Sequence, residues 1–501
     1  MTIYKCALTL PSETKVVYTG MNDTVHSATI NVDSLTRQLL KRFNYWISKD
    51  KLNESEDLKL LGLYLYNVLL PIGSIPREQL ESDYDLVKRT TDGRLRLTLV
   101  FHKEAGELAN YPWEFLYMPA RERIADKPRR EGFFLAGQKT ELILTRFVPN
   151  VTPEFGEREK ELRILVIFSN PYDLELPDID TQETREAIAI IQALASKSSV
   201  RVELIEKPTY EELDAAINKP LRPGENAFKP HIVHFIGHGD KVRGLALKMT
   251  KKEIDERKQS NLPYKETAWH DSKTISDLFS DDPPPRLVFL HACESARSDT
   301  LEGFSDLARE LALAKIPAVV AMQYAIKTGD AALFAKVFYE ELSNGCDVDE
   351  AVRGGREALG NPDYGGKGSW SDRRFGTPVV YLQSEKAIIE MPPLFDPEQK
   401  VACPNPDCDG KVALGWSRCA RCGHEVMICF ECRNKGEFVL MDKALGMCGK
   451  YGHRLVVESQ AVSTKPEITL RTERRADSEA AVRKAEVKQN EQQSGSTDNI
   501  G

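Results

Sequence analysis

Two short apolar segments of the chain each end in a reactive side chain, and they constrain the fold more than any other feature. The first segment reads HIVHFIGHGD and places His238 between two glycines. The second reads RLVFLHACESAR and places Cys293 just after its apolar run. Short apolar runs bounded by turn residues are typical of strands that a parallel sheet buries on both faces. Because ligands bind at the carboxyl ends of such strands, we expect His238 and Cys293 to share one edge of one sheet.

The residues around this pair resemble the motifs of a known family. HFIGHG and LHACESA are similar to the HFxGHG and xACxS motifs of the CHAT domain, a caspase-like peptidase module related to separase. In caspases, too, the histidine precedes the cysteine by roughly 50 residues. The resemblance covers roughly residues 90–385. It implies that His238 is the base and Cys293 the nucleophile of a catalytic dyad.

The chemistry of acyl transfer accounts for these residue types. A thiol with a pKa of about 8.5 is mostly protonated at neutral pH, and an adjacent imidazole can take its proton or stabilise the thiolate. The resemblance implies an oxyanion site formed by the backbone N–H groups of Gly239 and Cys293. By strand alternation His291 points the same way as Cys293, so we expect it to line the cleft, with Glu294 nearby.

The loop from Gln323 to Asp330 follows the strand-like segment PAVVAM and leaves the same sheet edge. In the resembling families this region shapes the pocket for the residue before the scissile bond, and separase-like enzymes place an acid there to select a basic residue. The nearest candidates here are Gln323, Tyr324 and Asp330, and further acids in reach are Glu294 and Asp299. Gln323 and Asp330 are the predicted pocket residues, and the substrate preference stays open.

Strands and helices alternate from about residue 161 onward, which predicts an α/β fold with a mainly parallel sheet flanked by helices. Earlier in the chain, helical spacing of apolar residues predicts a helix from Ser34 to Ser48. The segment RLRLTLVFH predicts a strand with one wetter face. PWEFLY resembles the segment that precedes the peptidase half in CHAT proteins, where it belongs to a degenerate caspase-like half. We expect its Trp113 and Phe115 to pack in the core.

These patterns, what the CHAT resemblance implies and the cysteines spaced after residue 400 indicate four regions. They are an N-terminal degenerate caspase-like α/β half at 1–155, a CHAT peptidase domain at 156–390, a double zinc-ribbon domain at 398–460 and a charged, largely disordered tail at 465–501.

Cysteine is concentrated in the third region. Seven cysteines and one histidine there have metal-ligand spacing, namely Cys403, Cys408, Cys419, Cys422, Cys429, Cys432, Cys448 and His453. Eight ligands match two tetrahedral zinc ions, and closed four-ligand sites of this kind are structural. Sequential pairing would place the first four residues on one ion and the last four on the other, as in a double zinc ribbon. A cross-braced pairing is the alternative, and His424 is a spare ligand.

The net charge and the cysteine content indicate which partners and which cellular compartment to expect. The formal net charge of −8 does not indicate a general nucleic-acid surface, although Lys411, Arg418, Arg421 and Arg433 keep nucleic acid as a weak alternative partner. The chain has no apolar run of bilayer length and no signal peptide at its start, so we expect a cytoplasmic protein without a membrane partner. In that compartment the ten cysteines are expected to be ligands, nucleophiles or free thiols.

The sequence therefore predicts a cytoplasmic cysteine endopeptidase of the CHAT type that hydrolyses a protein target through an acyl-enzyme. The resemblance also implies activation by a protein partner and a role in bacterial antiviral defence or cell death. The main alternative is a noncatalytic scaffold whose caspase-like fold and zinc ribbons both bind partners. A nucleotide-binding domain is less favoured because neither GxxxxGK[ST] nor GxGxxG follows a predicted strand.

Overall fold

The computed structural model divides the chain into two compact units, Met1–Leu394 and Phe395–Gly501. It describes residues 2–52, 55–90, 93–122, 129–148, 162–196, 200–219, 228–240, 243–279, 284–292, 305–314, 316–324, 326–361, 370–383, 400–413, 418–428, 439–442 and 447–448.

The larger unit combines strands and helices along its whole length. Its strands are β1 (Thr2–Ser12), β2 (Lys15–Thr19), β3 (Val25–Thr29), β4 (Gly93–Phe101), β5 (Tyr117–Met118), β6 (Phe133–Phe134), β7 (Leu142–Phe147), β8 (Leu162–Ser169), β9 (Val200–Glu206), β10 (Ile232–Gly237), β11 (Gly239–Asp240), β12 (Gly244–Lys248), β13 (Thr267–His270), β14 (Leu287–Ala292), β15 (Ala318–Met322) and β16 (Pro378–Leu382). Its α-helices are α1 (Ser34–Ser48), α2 (Ser55–Leu69), α3 (Ile75–Lys88), α4 (Gln182–Ala193), α5 (Tyr210–Asn218), α6 (Lys251–Gln259), α7 (Ser272–Leu278), α8 (Ser305–Leu313), α9 (Thr328–Ser343) and α10 (Val348–Gly360).

Eleven of these strands form one sheet in the order β3-β2-β1-β4-β7-β16-β15-β14-β10-β8-β9. Neighbours from β1 to β16 are parallel to one another, as are neighbours from β15 to β9, and the two sets meet at the antiparallel pair β15 and β16. The N-terminal strands therefore belong to the same sheet as the strands that precede His238 and Cys293. The predicted α/β fold class with a mainly parallel sheet is confirmed.

The order of the strands creates a crevice at one edge of this sheet. The chain passes from β8 through α4 to the neighbouring β9, and then returns through α5 to β10 on the other side of β8. Right-handed crossovers in opposite directions put α4 and α5 on opposite faces. The carboxyl ends of β8 and β10 consequently flank a topological switch point, where open α/β sheets bind ligands.

The face of β4 that was predicted to be wetter is the more exposed of the two, with Arg94, Thr98 and Val100 half-buried, but its arginines pair with acids. Arg94 pairs with Glu350 of α10 at 2.8 Å, and Arg96 pairs with Asp349 at 2.7 Å. Arg96 is only 6% exposed. The leucines that alternate with these arginines pack in the core, so both faces of β4 are covered.

A buried ionic cluster connects the PWEFLY segment to the rest of the sheet. Glu114 is 1% exposed and accepts hydrogen bonds from Arg146 of β7 at 2.9 and 2.6 Å. Gln323, which follows β15, donates to the same carboxylate at 2.9 Å, and Arg356 of α10 lies 3.8 Å from it. Burial raises the pKa of Glu114, but these arginines outweigh burial and hold the pKa below its usual value. Trp113 lies in the core beside it, as predicted.

The smaller unit contains only short strands in its described part. They are β17 (Lys400–Ala402), β18 (Lys411–Ala413), β19 (Val426–Ile428), β20 (Leu440–Asp442) and β21 (Met447–Cys448). Its apolar core is correspondingly small and includes two cysteines beside three aliphatic side chains. The predicted tail at 465–501 lies outside the described residues. Within the part of the chain that the structure describes, no helix has both the length and the apolar character that a membrane crossing needs.

The cluster around Glu114 predicts a large loss of stability on truncation. Glu114→Ala leaves two buried arginines without their carboxylate, so the free energy of unfolding should fall by about 3–5 kcal/mol. The control is Glu107→Ala, which breaks an exposed 3.0 Å ion pair with Lys41 and should cost less than about 1 kcal/mol. Urea unfolding measures both variants. A similarly small loss of unfolding free energy in both variants would contradict the stabilising role assigned to the cluster around Glu114.

Candidate active site and metal centre

His238 follows β10 at the switch point of the sheet and is only 2% exposed. Its carbonyl accepts a hydrogen bond from the N–H of Ala246 at 3.0 Å, which fixes the backbone against β12. The residue before it, Gly237, must be a glycine because a side chain would not fit there. A Cβ at this position would lie 2.6 Å from the Phe235 ring and 2.8 Å from the Ser169 carbonyl oxygen.

The ring of His238 is oriented by a backbone carbonyl. One ring N–H donates to the carbonyl of Pro177, and Nε2 has no hydrogen-bond partner within the described ranges, so the donor is Nδ1. Burial lowers the pKa of His238 to about 4, against the opposing effects of the Pro177 carbonyl, Asp173 and Asp178. At neutral pH the imidazole is therefore uncharged, and the lone pair on Nε2 can accept a proton.

The sequence did not identify Pro177 as the hydrogen-bond acceptor for His238, because every residue type has a backbone carbonyl. Pro177 lies in the segment after β8, on the other side of the switch point from β10. The strand order brings the two together, and that order is not readable from local patterns.

The pairing of β10 with β14 is parallel and regular to the ends of both strands. Ile236 lies opposite His291, and Gly237 lies opposite Ala292. In the sequence, the next residues are His238 and Cys293. Cys293 itself, together with Glu294 and Asp299, lies outside the described residues.

Gly239 pairs with β12 at a position where its N–H does not hydrogen-bond to that strand. Antiparallel pairs alternate between hydrogen-bonded and non-hydrogen-bonded positions. His238 and Ala246 form a bonded pair, so the next pair, Gly239 and Leu245, is a non-bonded one. The N–H of Gly239 therefore points away from β12.

His291 is buried among aromatic side chains and is 1% exposed. Burial lowers its pKa to about 4, and neither ring nitrogen has a hydrogen-bond partner among the residues described. Its neighbours include His234, at 5.9 Å between ring centroids, and Phe289. His234 stacks on Phe289 and shares a 2.9 Å hydrogen bond with the Tyr339 hydroxyl, so it belongs to the core. The role of His291 in a cleft stays a prediction.

The two predicted pocket residues after β15 have partners inside the fold. The Gln323 amide donates to Glu114 at 2.9 Å and to the Gly376 carbonyl at 2.6 Å. Asp330 lies in the first turn of α9 and pairs with Arg374 at 3.3 Å. A role for either in selecting the substrate stays a prediction.

Four of the predicted metal ligands come together in the smaller unit. The sulfurs of Cys403, Cys408, Cys419 and Cys422 all lie within 4.8 Å of one another. The Cys403–Cys422 and Cys408–Cys419 distances are 3.7 and 3.8 Å. A tetrahedral ion with Zn–S bonds of about 2.3 Å requires sulfurs about 3.8 Å apart. The cluster therefore fits one metal ion and is too open for disulfides, whose S–S bond is about 2.05 Å.

The pKa values of the cysteines in this cluster shift in opposite directions. Hydrogen bonding, first from the backbone of Cys422, lowers the pKa of Cys419 to about 6. Burial raises the pKa of Cys403 to about 12. Gly423 has a left-handed φ of 74° and donates its N–H to the Cys419 carbonyl at 2.8 Å, as expected for the turn of a metal knuckle.

The second predicted set of ligands is not placed. Cys429, Cys432 and His453 lie outside the described residues, and for Cys448 only its backbone in β21 is described.

The low pKa of His291 predicts a loss of stability in acid. Because its folded pKa of about 4 lies below the unfolded value of about 6.5, the unfolded chain binds a proton first as the pH falls. His291→Phe should therefore make the decline in unfolding free energy between about pH 6.5 and pH 4 shallower. His102→Phe, at an exposed histidine, is the control. Equal slopes in wild type and His291→Phe would contradict this prediction.

Comparisons with known proteins give a family but no close relative. No curated protein matches the chain. Among solved structures, two of the Saccharomyces cerevisiae separase-securin complex match with TM-scores of 0.34 and 0.35 and 12% sequence identity. Each match covers 76% of this chain and 30% of the other, so the chain spans less than a third of that length. The model of the CHAT domain matches residues 64–366, which is more than half of the sequence. The chain therefore belongs to the CHAT domain family.

Proposed function

We propose that the protein is a cysteine endopeptidase in which His238 is the base and Cys293 the nucleophile. The observation that supports this most is the parallel register of β10 and β14, which pairs Gly237 with Ala292. These two residues directly precede His238 and Cys293. Neighbouring strands lie about 4.8 Å apart, so side chains that follow a matched pair are within reach of one another.

The state of His238 supports its role as the base. Its Nδ1 is held by the Pro177 carbonyl, its Nε2 is without a partner in the described part, and it is neutral at pH 7. These features match a general base oriented by a third group. A caspase-like arrangement of the peptidase domain at 156–390, with a degenerate half at 1–155, is part of this proposal.

The proposed reaction proceeds in two steps. In the first, the Cys293 sulfur attacks the scissile carbonyl carbon while Nε2 of His238 takes the thiol proton. The developing oxyanion accepts hydrogen bonds from the N–H groups of Gly239 and Cys293. His238 then protonates the leaving amine as the C–N bond breaks. In the second step water attacks the acyl-enzyme carbonyl while His238 takes a proton from that water. The C–S bond then breaks, which releases the carboxyl product, and the Cys293 sulfur regains its proton from His238.

The wider biological role rests on the family resemblance. It supports activation by a protein partner and a role in antiviral defence or cell death. Free thiols at Cys6 and Cys346 are consistent with a reducing compartment such as the cytoplasm. We assign Glu294, His291, Gln323 and Asp330 to the walls of the substrate cleft as residues to be tested.

The first prediction concerns new protein N-termini in cells that express the chain together with neighbouring genes. Wild type should generate new termini that disappear in Cys293→Ala and His238→Ala, because each variant lacks one member of the dyad. Cys346→Ala and His102→Ala are matched controls that should keep the termini. Mass spectrometry of labelled N-termini measures the effect.

Identical termini in all of these variants would contradict the peptidase proposal. That result would favour a noncatalytic scaffold that binds partners through the same fold.

We also propose two structural zinc ions in the smaller unit. The tetrahedral sulfur spacing of Cys403, Cys408, Cys419 and Cys422 supports the first ion. The repeated spacing of Cys429, Cys432, Cys448 and His453 in the sequence supports the second. Each site would have four protein ligands and no open position, so zinc would stabilise a small domain that lacks a large core.

Metal analysis of the purified chain tests this stoichiometry. We expect two zinc ions per wild-type chain and one in Cys419→Ser or in Cys429→Ser, since each variant removes one ligand from a different site. Cys346→Ser is the control and should keep two. A wild-type content of one ion, or no loss in Cys419→Ser, would contradict the proposal.

A further inference from the structure

A cleft of about 510 Å³ lies beside the carboxyl end of β8. Its lining comes from the segment that follows this strand and from one residue after β9, namely Asn170, Pro171, Tyr172, Asp173, Leu174, Leu176, Pro177, Asp178 and Lys207. The carbonyl of Pro177 is the group that holds the ring of His238. The cleft therefore adjoins the proposed base directly.

Large apolar side chains are exposed at this cleft. Leu174 is 69% exposed and Tyr172 is 50% exposed. The Tyr172 ring lies 5.7 Å from the ring of Tyr264, which is 49% exposed, and Leu262 nearby in sequence is 51% exposed. Exposed apolar groups that cluster in this way mark binding surfaces more often than isolated ones do.

The carboxylates of the cleft accept hydrogen bonds from within their own segment. Asp178 accepts hydrogen bonds from the Asn170 amide at 2.6 Å and from the N–H of Asp180 at 2.9 Å. Asp173 accepts from the N–H of Glu175 at 3.1 Å. Hydrogen bonds, from the backbone of Asp180 and from the Arg185 side chain respectively, lower the pKa values of Asp178 and Asp180, and the charge of Lys207 adds to both shifts. Both carboxylates of the cleft therefore have hydrogen-bond donors within their own segment, and the exposed apolar side chains are left to contact a ligand.

The backbone of the cleft is anchored before any ligand arrives. The carbonyl of Tyr172 accepts from the N–H of Glu266 at 2.7 Å and from the Thr267 hydroxyl at 3.4 Å. At the base of the segment, the Ser169 hydroxyl donates to the Ala246 carbonyl at 2.6 Å. Because the cleft is tied to β12 and β13, binding does not require ordering of this segment.

We propose that this cleft is a substrate subsite for a large apolar side chain, aromatic or branched aliphatic, close to the scissile bond. The proposal rests on the proposed peptidase function and adds a substrate class to it. Tyr172 and Leu174 are the specificity-determining residues, and Tyr264 lies beside the Tyr172 ring. They contact the bound side chain in the ground state and the transition state alike, so their loss should raise KM and leave kcat unchanged.

The test uses a defined library of peptides with the full chain and its activating partner. Wild type should cleave peptides with Leu, Ile, Phe, Tyr or Trp enriched at one position near the scissile bond. Leu174→Asp should lower kcat/KM for those peptides about tenfold or more, through KM, while peptides with a small polar residue there are cleaved at an unchanged rate. Leu60→Asp, at a leucine of α2 that is 64% exposed, is the matched control and should have no effect.

Two results would overturn the subsite. One is cleavage without apolar enrichment, and the other is an equal loss for apolar and polar peptides in Leu174→Asp. A failure of the peptidase function itself would appear differently, as no cleavage that depends on Cys293. In that case, fluorescence anisotropy of the apolar peptides with Cys293→Ala decides the point. Binding that Leu174→Asp weakens and Leu60→Asp does not supports the subsite, and equal binding by both overturns it.

Discussion

The parallel pairing of β10 with β14 is the constraint on which the rest of the candidate site depends. Both strands are mostly apolar, and their described side chains are buried on both faces, so a one-residue shift would exchange side chains between two differently packed faces of the core. The register that results ends with Gly237 opposite Ala292. Packing of the core thus determines how the described ends of the two strands lie beside each other, and this arrangement is the geometric basis of the proposed dyad.

The N-terminal half is joined to this edge through buried charge. Glu114 binds Arg146 on one side and Gln323 on the other, and Gln323 follows β15 at the same sheet edge as His238. A buried ion pair costs desolvation energy and is tolerated only where its geometry is well satisfied. The segment around Glu114 therefore helps to fix the chain after β15, and it belongs to the same compact unit as His238.

The sequence was sufficient where local pattern determines structure. The apolar runs ending at His238 and Cys293 predicted two buried strands, and the cysteine spacing predicted the cluster of Cys403 with its three partners. The sequence did not predict contacts between side chains that are far apart in the chain. The alternation around Arg94 and Arg96 did not reveal that α10, far along the chain, supplies their acids. The Pro177 carbonyl beside His238 and the hydrogen bonds of Gln323 to Glu114 and Gly376 depend on strand order and on backbone atoms, which residue type does not encode.

The central claim is that His238 activates Cys293, and the rate at which iodoacetamide alkylates each cysteine tests it most directly. In the purified chain, with the proposed activating partner added, we expect Cys293 to react much faster than Cys346, whose pKa burial raises to about 12. Replacing His238 with alanine should slow the reaction at Cys293 and leave Cys346 unchanged. Equal rates at Cys293 with and without His238 would contradict the account.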